Sequence, residues 1–135
     1  MLRFKPAPWA AITHLLLFAV VYAVFLGRKP GMFRSEAILD IVPDFYSHAL
    51  NFSLSYLLYA GVGFLWVMMG VQARYVALAG VALVLANVGY EWLLPLLNTR
   101  DPLDAVYGIA GTLLGFAWLW VFRRFGLKPL VEGGK

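Results

Sequence analysis

An all-α membrane protein with four transmembrane helices is the fold that this sequence predicts, on three observations. Of 135 residues, 62% are hydrophobic and 13% are charged, too little charge to clothe a soluble domain of this length. Four apolar runs are each long enough to cross roughly 30 Å of hydrocarbon at about 20 residues per helix. The charged residues fall almost wholly between or beyond those runs. The expectation is therefore a polytopic protein, one four-helix domain over residues 1–135, with spans at 9–26, 48–71, 75–97 and 105–122.

The first span follows Arg3 and Lys5, as in a signal peptide, but it ends in Phe25-Leu26-Gly27-Arg28 with no small-residue cleavage pattern, which predicts a retained helix. Residues 27–47 form a long connection. Within it, Lys29-Pro30-Gly31 reads as a turn, Ser35 as the cap of a short helix, and Ala37, Ile38, Leu39, Ile41 and Val42 as its apolar surface, stopped at Pro43. An interfacial segment lying over the bundle is expected there. Between the second and third spans, residues 71–74 barely turn the chain, so those two helices are expected to form a tight antiparallel hairpin. The fourth span is followed by a tail over 125–135 that reads as frayed. Cysteine is absent, which excludes disulfides and thiolate metal sites.

Loop charge predicts the orientation. With the N-terminus in the cytoplasm, Arg3, Lys5, Arg74, Arg123, Arg124, Lys128 and Lys135 lie inside and Arg28, Lys29, Arg34 and Arg100 outside, seven against four. Both termini are thus expected in the cytoplasm of a bacterial inner membrane. The net charge of +4 is then a signal of topology and not of nucleic-acid binding, and Arg123, Arg124 and Lys128 can touch anionic lipid.

The acidic residues are one-sided in this topology: of the seven, only Glu132 stays inside. Charge at the rim of a hydrocarbon slab is costly unless it is solvated, paired or used, so the cluster is the main functional lead. Asp44 and His48 stand four apart, with Phe52, Ser55 and Tyr59 continuing their helical face, so carboxylate and imidazole lie one above the other. On the third span Asn87, Glu91, Leu94 and Asn98 share a stripe. It holds Glu91 about 9 Å inside the end of its span, at ~1.5 Å per residue. Asp101 and Asp104 precede the fourth span, beside Pro102. Gly108, Gly111 and Gly115 run along one side of that helix, where missing side chains let a neighbouring backbone come close.

These residues carry a family resemblance. Asp44-Phe45-Tyr46-Ser47-His48 resembles the D-x-x-x-H that opens the second span of VanZ-like membrane proteins, a bacterial family named for teicoplanin resistance. The stretch from Tyr90-Glu91-Trp92 to Arg100, followed by Asp104, Gly111 and Gly115, is similar to that family's later E…R…D-x-x-x-N-x-x-G-x-x-x-G pattern. The chain departs from the pattern at Phe45, Leu94 and Gly108, where the family has Lys, Gln and Asn, and so resembles a divergent member. The resemblance implies a four-helix protein of the cell envelope and no particular reaction.

Two function classes follow. In one, Asp44, His48, Glu91, Arg100 and Asp104 build an outward-facing pocket. Arg100, whose planar fork of donors suits phosphate, holds an anionic lipid or envelope-precursor headgroup together with Asp101 and Asp104; His48, tuned by Asp44, moves a proton, and Glu91 supplies a second carboxylate. In the other, the chain is a noncatalytic accessory subunit of a larger membrane complex or a homo-oligomer, its charges serving as interhelical locks. No cofactor is expected. A metal site ranks behind both readings, because one histidine among acids is an unselective ligand set. His14 lies too far along the bundle to share a haem with His48 and is expected to be a core histidine bonded to a neighbouring helix. Trp9, Trp92, Trp118 and Trp120 read as interface and packing aromatics.

Overall fold

The computed structural model describes residues 2–29, 34–93 and 102–130, with the backbone alone at 91–93 and 102. It is an all-α protein of four long helices. Pro8–Leu26 (α1), Phe45–Met68 (α3), Ala73–Leu93 (α4) and Pro102–Phe125 (α5) form the bundle, and Glu36–Ile41 (α2) is a short helix between the first two. Each of the four long helices is long and apolar enough to cross a membrane. The apolar side chains that remain exposed, such as Leu15, Leu16 and Val20 on α1 and Leu78, Val81 and Leu85 on α4, are what such helices present to lipid.

Local chemistry sets the helix ends. Pro8 opens α1, where its missing N–H costs nothing. Ser35 caps α2, its hydroxyl accepting from the Ile38 amide. At the end of α3 the Gly70 amide donates to Val67 and the Val71 amide to Trp66, with Gly70 at φ 83°. This is a Schellman ending in which glycine takes the left-handed position that a side chain resists. The turn therefore begins at Met69, two residues before the expected end of the span. α3 and α5 likewise begin three residues earlier than expected, at Phe45 and Pro102.

The expected α3–α4 hairpin is present, but α3 packs most extensively against α5, and it also touches α1. Small residues explain the preference. A methyl group on Gly111 would overlap the carbonyl oxygen of Phe52, so the α3 and α5 backbones are in contact there, and one on Gly115 would lie 3.1 Å from the Tyr59 ring. Gly63 of α3 returns the relation by receiving the Leu119 side chain. The α3–α4 interface is instead bridged by Tyr59, whose hydroxyl donates to the Val76 carbonyl at 2.8 Å. α3 and α5 run parallel, so their N-termini lie at the same end of the bundle.

At the other end lies a cluster of Val67, Met68, Trp118, Leu119 and Phe122 with Ala7 and Ala10. Here the expectation of a frayed tail is corrected for residues 125–130; 131–135 lie outside the described residues. Leu127–Pro129 (β2) pairs antiparallel with Phe4–Pro6 (β1), Lys5 opposite Lys128. The Ala7 amide donates to Gly126 at 2.7 Å, Leu130 to Arg3 at 3.2 Å, and Arg3 to Met68 at 2.8 Å. The two ends of the described chain are thus stitched to one another and to the α3–α4 turn.

The short helix expected between the first two spans is also present, and among the described residues it makes no extensive contact with the long helices. α2 holds no buried residue, and Ile41 is 82% exposed. It is tethered from its N-terminal side: the Arg34 guanidinium donates to the Gly27 and Arg28 carbonyls, and the Ser35 amide donates to the Tyr46 hydroxyl.

Candidate functional site

Asp44 occupies the N-cap position of α3, yet its side chain makes no capping hydrogen bond. The Asp44 carboxylate instead lies 3.4 Å from His48 Nε2, one turn along the helix. The opposite ring nitrogen, Nδ1, lies 2.7 Å from Oδ1 of Asp104 in the first turn of α5. Three side chains expected to share a site therefore meet, across two helices. The imidazole is buried, at 5% exposure, while Asp44 is 57% and Asp104 26% exposed. Each carboxylate sits at a helix N-terminus, and parallel packing brings the positive ends of two helix dipoles together beneath them. The Tyr107 ring leans on the imidazole, centroids 5.1 Å apart, and Phe45 stands edge-on to Tyr107.

Asp104 also borders a second space. Its backbone carbonyl accepts from Asn51 Nδ2 at 3.0 Å. Below it, a cavity of about 450 Å³ runs between α3, α4 and α5, its polar lining supplied by Ser47, Asn51, Ser55, Asn87, Tyr90 and Asp104. Asn87 is fixed there, its amide donating to Ser55 Oγ at 3.1 Å and to the Leu83 carbonyl at 3.0 Å. Gly108 makes room for that amide: a methyl group at Gly108 would overlap Asn87 Oδ1. Gly108 therefore receives a side chain, whereas Gly111 performs the backbone approach expected of all three glycines.

The backbone of Glu91 continues α4 one turn beyond Asn87, and its side chain lies outside the described residues, as do Arg100 and Asp101. Asn51 and Tyr107 were not anticipated as members of the site. Both were available from spacing, since Asn51 is three residues after His48 and Tyr107 three after Asp104, which puts each on the face of its helix that carries the charged residue.

The chemistry open to this arrangement follows from the donor inventory. A neutral imidazole donates through one nitrogen only, and an imidazolium donates through both. A ring held between two carboxylates can therefore release a proton toward Asp104 at Nδ1 and regain one at Nε2 from the Asp44 side. The more exposed carboxylate faces the end of the bundle and the less exposed one borders the cavity. Among the described residues, no group of three or more His, Asp or Glu side chains is arranged to hold a metal ion.

His14 is far from this cluster and has the structural part expected of it. Trp118 Nε1 donates to His14 Nδ1 at 3.0 Å, and the His14 ring stacks on Phe64 with centroids 3.8 Å apart. An indole only donates, so Nδ1 is the acceptor and the proton of the neutral ring is on Nε2. Comparison with protein-family models, curated proteins and solved structures finds no match to this chain.

Proposed function

We propose that the chain is a VanZ-like protein of a bacterial inner membrane, with both termini in the cytoplasm, whose polar cluster binds an anionic lipid or envelope-precursor headgroup at the outer rim and exchanges a proton with it. The single observation that carries this reading is the His48–Asp104 contact, which joins a buried imidazole to the carboxylate bordering a polar cavity. Asp104, when protonated, is the group that gives its proton to an anionic oxygen of the ligand. His48 resupplies Asp104 through Nδ1 and takes up a proton at Nε2 from Asp44, which is in contact with solvent. Arg100, through its planar fork of donors, neutralises the headgroup charge, and Glu91 supplies a second carboxylate. The unused capping position of Asp44 favours this reading, because a carboxylate present only to cap α3 would bond its amides.

The second reading, a noncatalytic subunit of a larger assembly, takes the same His48–Asp104 contact as a lock between α3 and α5. Titration of a polyprenyl phosphate into the purified protein in bicelles, followed by the histidine ring signals in NMR, separates the two. A headgroup site moves the His48 signals and leaves those of His14 in place, and Arg100→Gln abolishes the movement. His48 signals that ignore the ligand, in a protein whose α3–α5 packing still depends on Asp104, decide for the lock.

A further inference from the structure

The bundle carries a second polar feature at the end opposite His48, where the chain termini are stitched together. A cavity of about 550 Å³ is lined there by three arginines, Arg3, Arg123 and Arg124, with Gly70 and Trp120 among its walls. It shares Val67, Ala73, Trp120 and Arg123 with a neighbouring cavity of about 260 Å³, whose further lining is apolar (Val76, Ala77, Phe116 and Leu119) apart from Arg74. Cationic and hydrocarbon chambers thus lie side by side, sharing a wall.

The cationic chamber is built by the fold and is more than a run of basic residues at a helix end. Basic side chains in the last turn of α5 suit the dipole there and explain Arg123 and Arg124 alone. Arg3 arrives from the other end of the chain. Its amide donates to Met68 and its carbonyl accepts from Leu130, so the β1–β2 pairing fixes its place. Its methylenes lie across Gly70, where a side chain would come within 2.9 Å of Arg3 Cδ. Among the described residues no carboxylate pairs with Arg3, Arg74, Arg123 or Arg124. Like charges lining one cavity repel, and an anion between them removes the penalty. Guanidinium forks match phosphate oxygens in pairs. The aromatic company is also interfacial: Arg124 lies over the Trp120 ring at 5.8 Å and Arg74 over Tyr75 at 4.9 Å.

We infer that this two-chambered cavity is a site for one anionic glycerophospholipid, its phosphate held by Arg3, Arg123 and Arg124 and one acyl chain laid against Phe116 and Ala77. A free phosphate satisfies only the first chamber. The combination of guanidinium groups with a lipid-level apolar groove selects an amphiphile, and the absence of carboxylates among the described lining selects one with net negative charge. The site is separate from the His48 cluster and stands whether or not that cluster binds a headgroup.

The test is lipid retention by the purified full-length chain in neutral detergent, read by native mass spectrometry with dioleoyl phosphatidylglycerol, dioleoyl phosphatidylcholine or sodium phosphate. Phosphatidylglycerol is expected to be retained about tenfold more strongly than phosphatidylcholine, on the scale of one to two arginine–phosphate contacts near a membrane surface. Arg123→Gln combined with Arg124→Gln reduces it to the phosphatidylcholine level, and Arg3→Gln, at an exposed position that leaves the backbone pairing intact, weakens it severalfold. Ala77→Trp weakens it with every charge in place. Sodium phosphate at millimolar concentration leaves the bound lipid undisturbed. Equal retention of the two lipids overturns the inference, as does a preference that survives all the glutamine variants. Displacement of the lipid by sodium phosphate, or indifference to Ala77→Trp, overturns the lipid assignment in favour of a simple anion site.

Discussion

His48 and Asp104 are 56 residues apart in sequence and 2.7 Å apart in space, and their contact ties the first turn of α3 to the first turn of α5. Because the imidazole is buried and the carboxylate only partly so, the contact lies between the surface and interior limits for ion pairs. Asp104→Ala is expected to lower stability by about 2 kcal/mol, since it removes the carboxylate 2.7 Å from a buried ring nitrogen. Asp104→Asn, which keeps an acceptor oxygen, is expected to cost about half as much. A double-mutant cycle with His48→Phe and Asp104→Leu, measured by unfolding in mixed micelles, is expected to return a coupling of about 1–2 kcal/mol. Additivity within error would show that the two side chains do not act on each other.

The glycines on α5 are predicted to differ in tolerance. At Gly111 an added methyl meets the Phe52 backbone, which cannot move without moving α3, and Gly111→Ala is expected to cost about 2–3 kcal/mol. At Gly115 the nearest atom belongs to the Tyr59 ring at 3.1 Å, which can give by a few tenths of an ångström. Gly115→Ala is expected to cost less than about 1 kcal/mol. Thermal unfolding of the two variants in the same detergent checks the order, and a costlier Gly115→Ala would contradict the packing described.

The His14–Trp118 contact is structural, and its removal should leave the His48 cluster unchanged. His14→Phe preserves the stack on Phe64 while depriving the indole of its acceptor, for an expected cost of about 1 kcal/mol. The Trp118 indole N–H resonance should move upfield in this variant and stay in place in His48→Asn. Movement in both would mean that the two ends of the bundle are coupled.

Orientation is testable apart from any activity. Asp40 on α2 and Lys128 on β2 are both exposed. The charge balance predicts that a cysteine at position 40 is labelled by an impermeant reagent in intact cells, and one at position 128 only after the membrane is opened. The opposite pattern would put the His48 cluster on the cytoplasmic side.

Most of the architecture was legible because a membrane demands long apolar runs, and such runs are visible without knowing any contact. The Asp44–His48 relation was legible because it is local, one helical turn. Asp104 was legible as a rim residue, and its choice of His48 came from the parallel packing of α3 and α5. That packing depends on which atoms face Gly111 and Gly115, and periodicity does not say which neighbour will face them. The β1–β2 pairing was not legible at all. Each strand is three residues long and ends in proline, and two such segments have no pattern apart from the partner that the bundle brings beside them. Arg3 was legible as a topological charge alone for the same reason, and the pairing also makes it a wall of the second cavity.

Asp104 and Asp44 address opposite nitrogens of one buried imidazole, and the proton path depends on that arrangement. The most direct measurement is ¹⁵N NMR of the histidine rings in lipid bilayers, with His14→Phe used to assign the His48 signals. Asp104→Asn is expected to move the Nδ1 resonance of His48 more than Nε2, and Asp44→Asn to do the reverse, more weakly, in keeping with 3.4 Å against 2.7 Å. Ring resonances that ignore the replacement of Asp104 would contradict that arrangement, and with it the proton path and the headgroup site built on that contact.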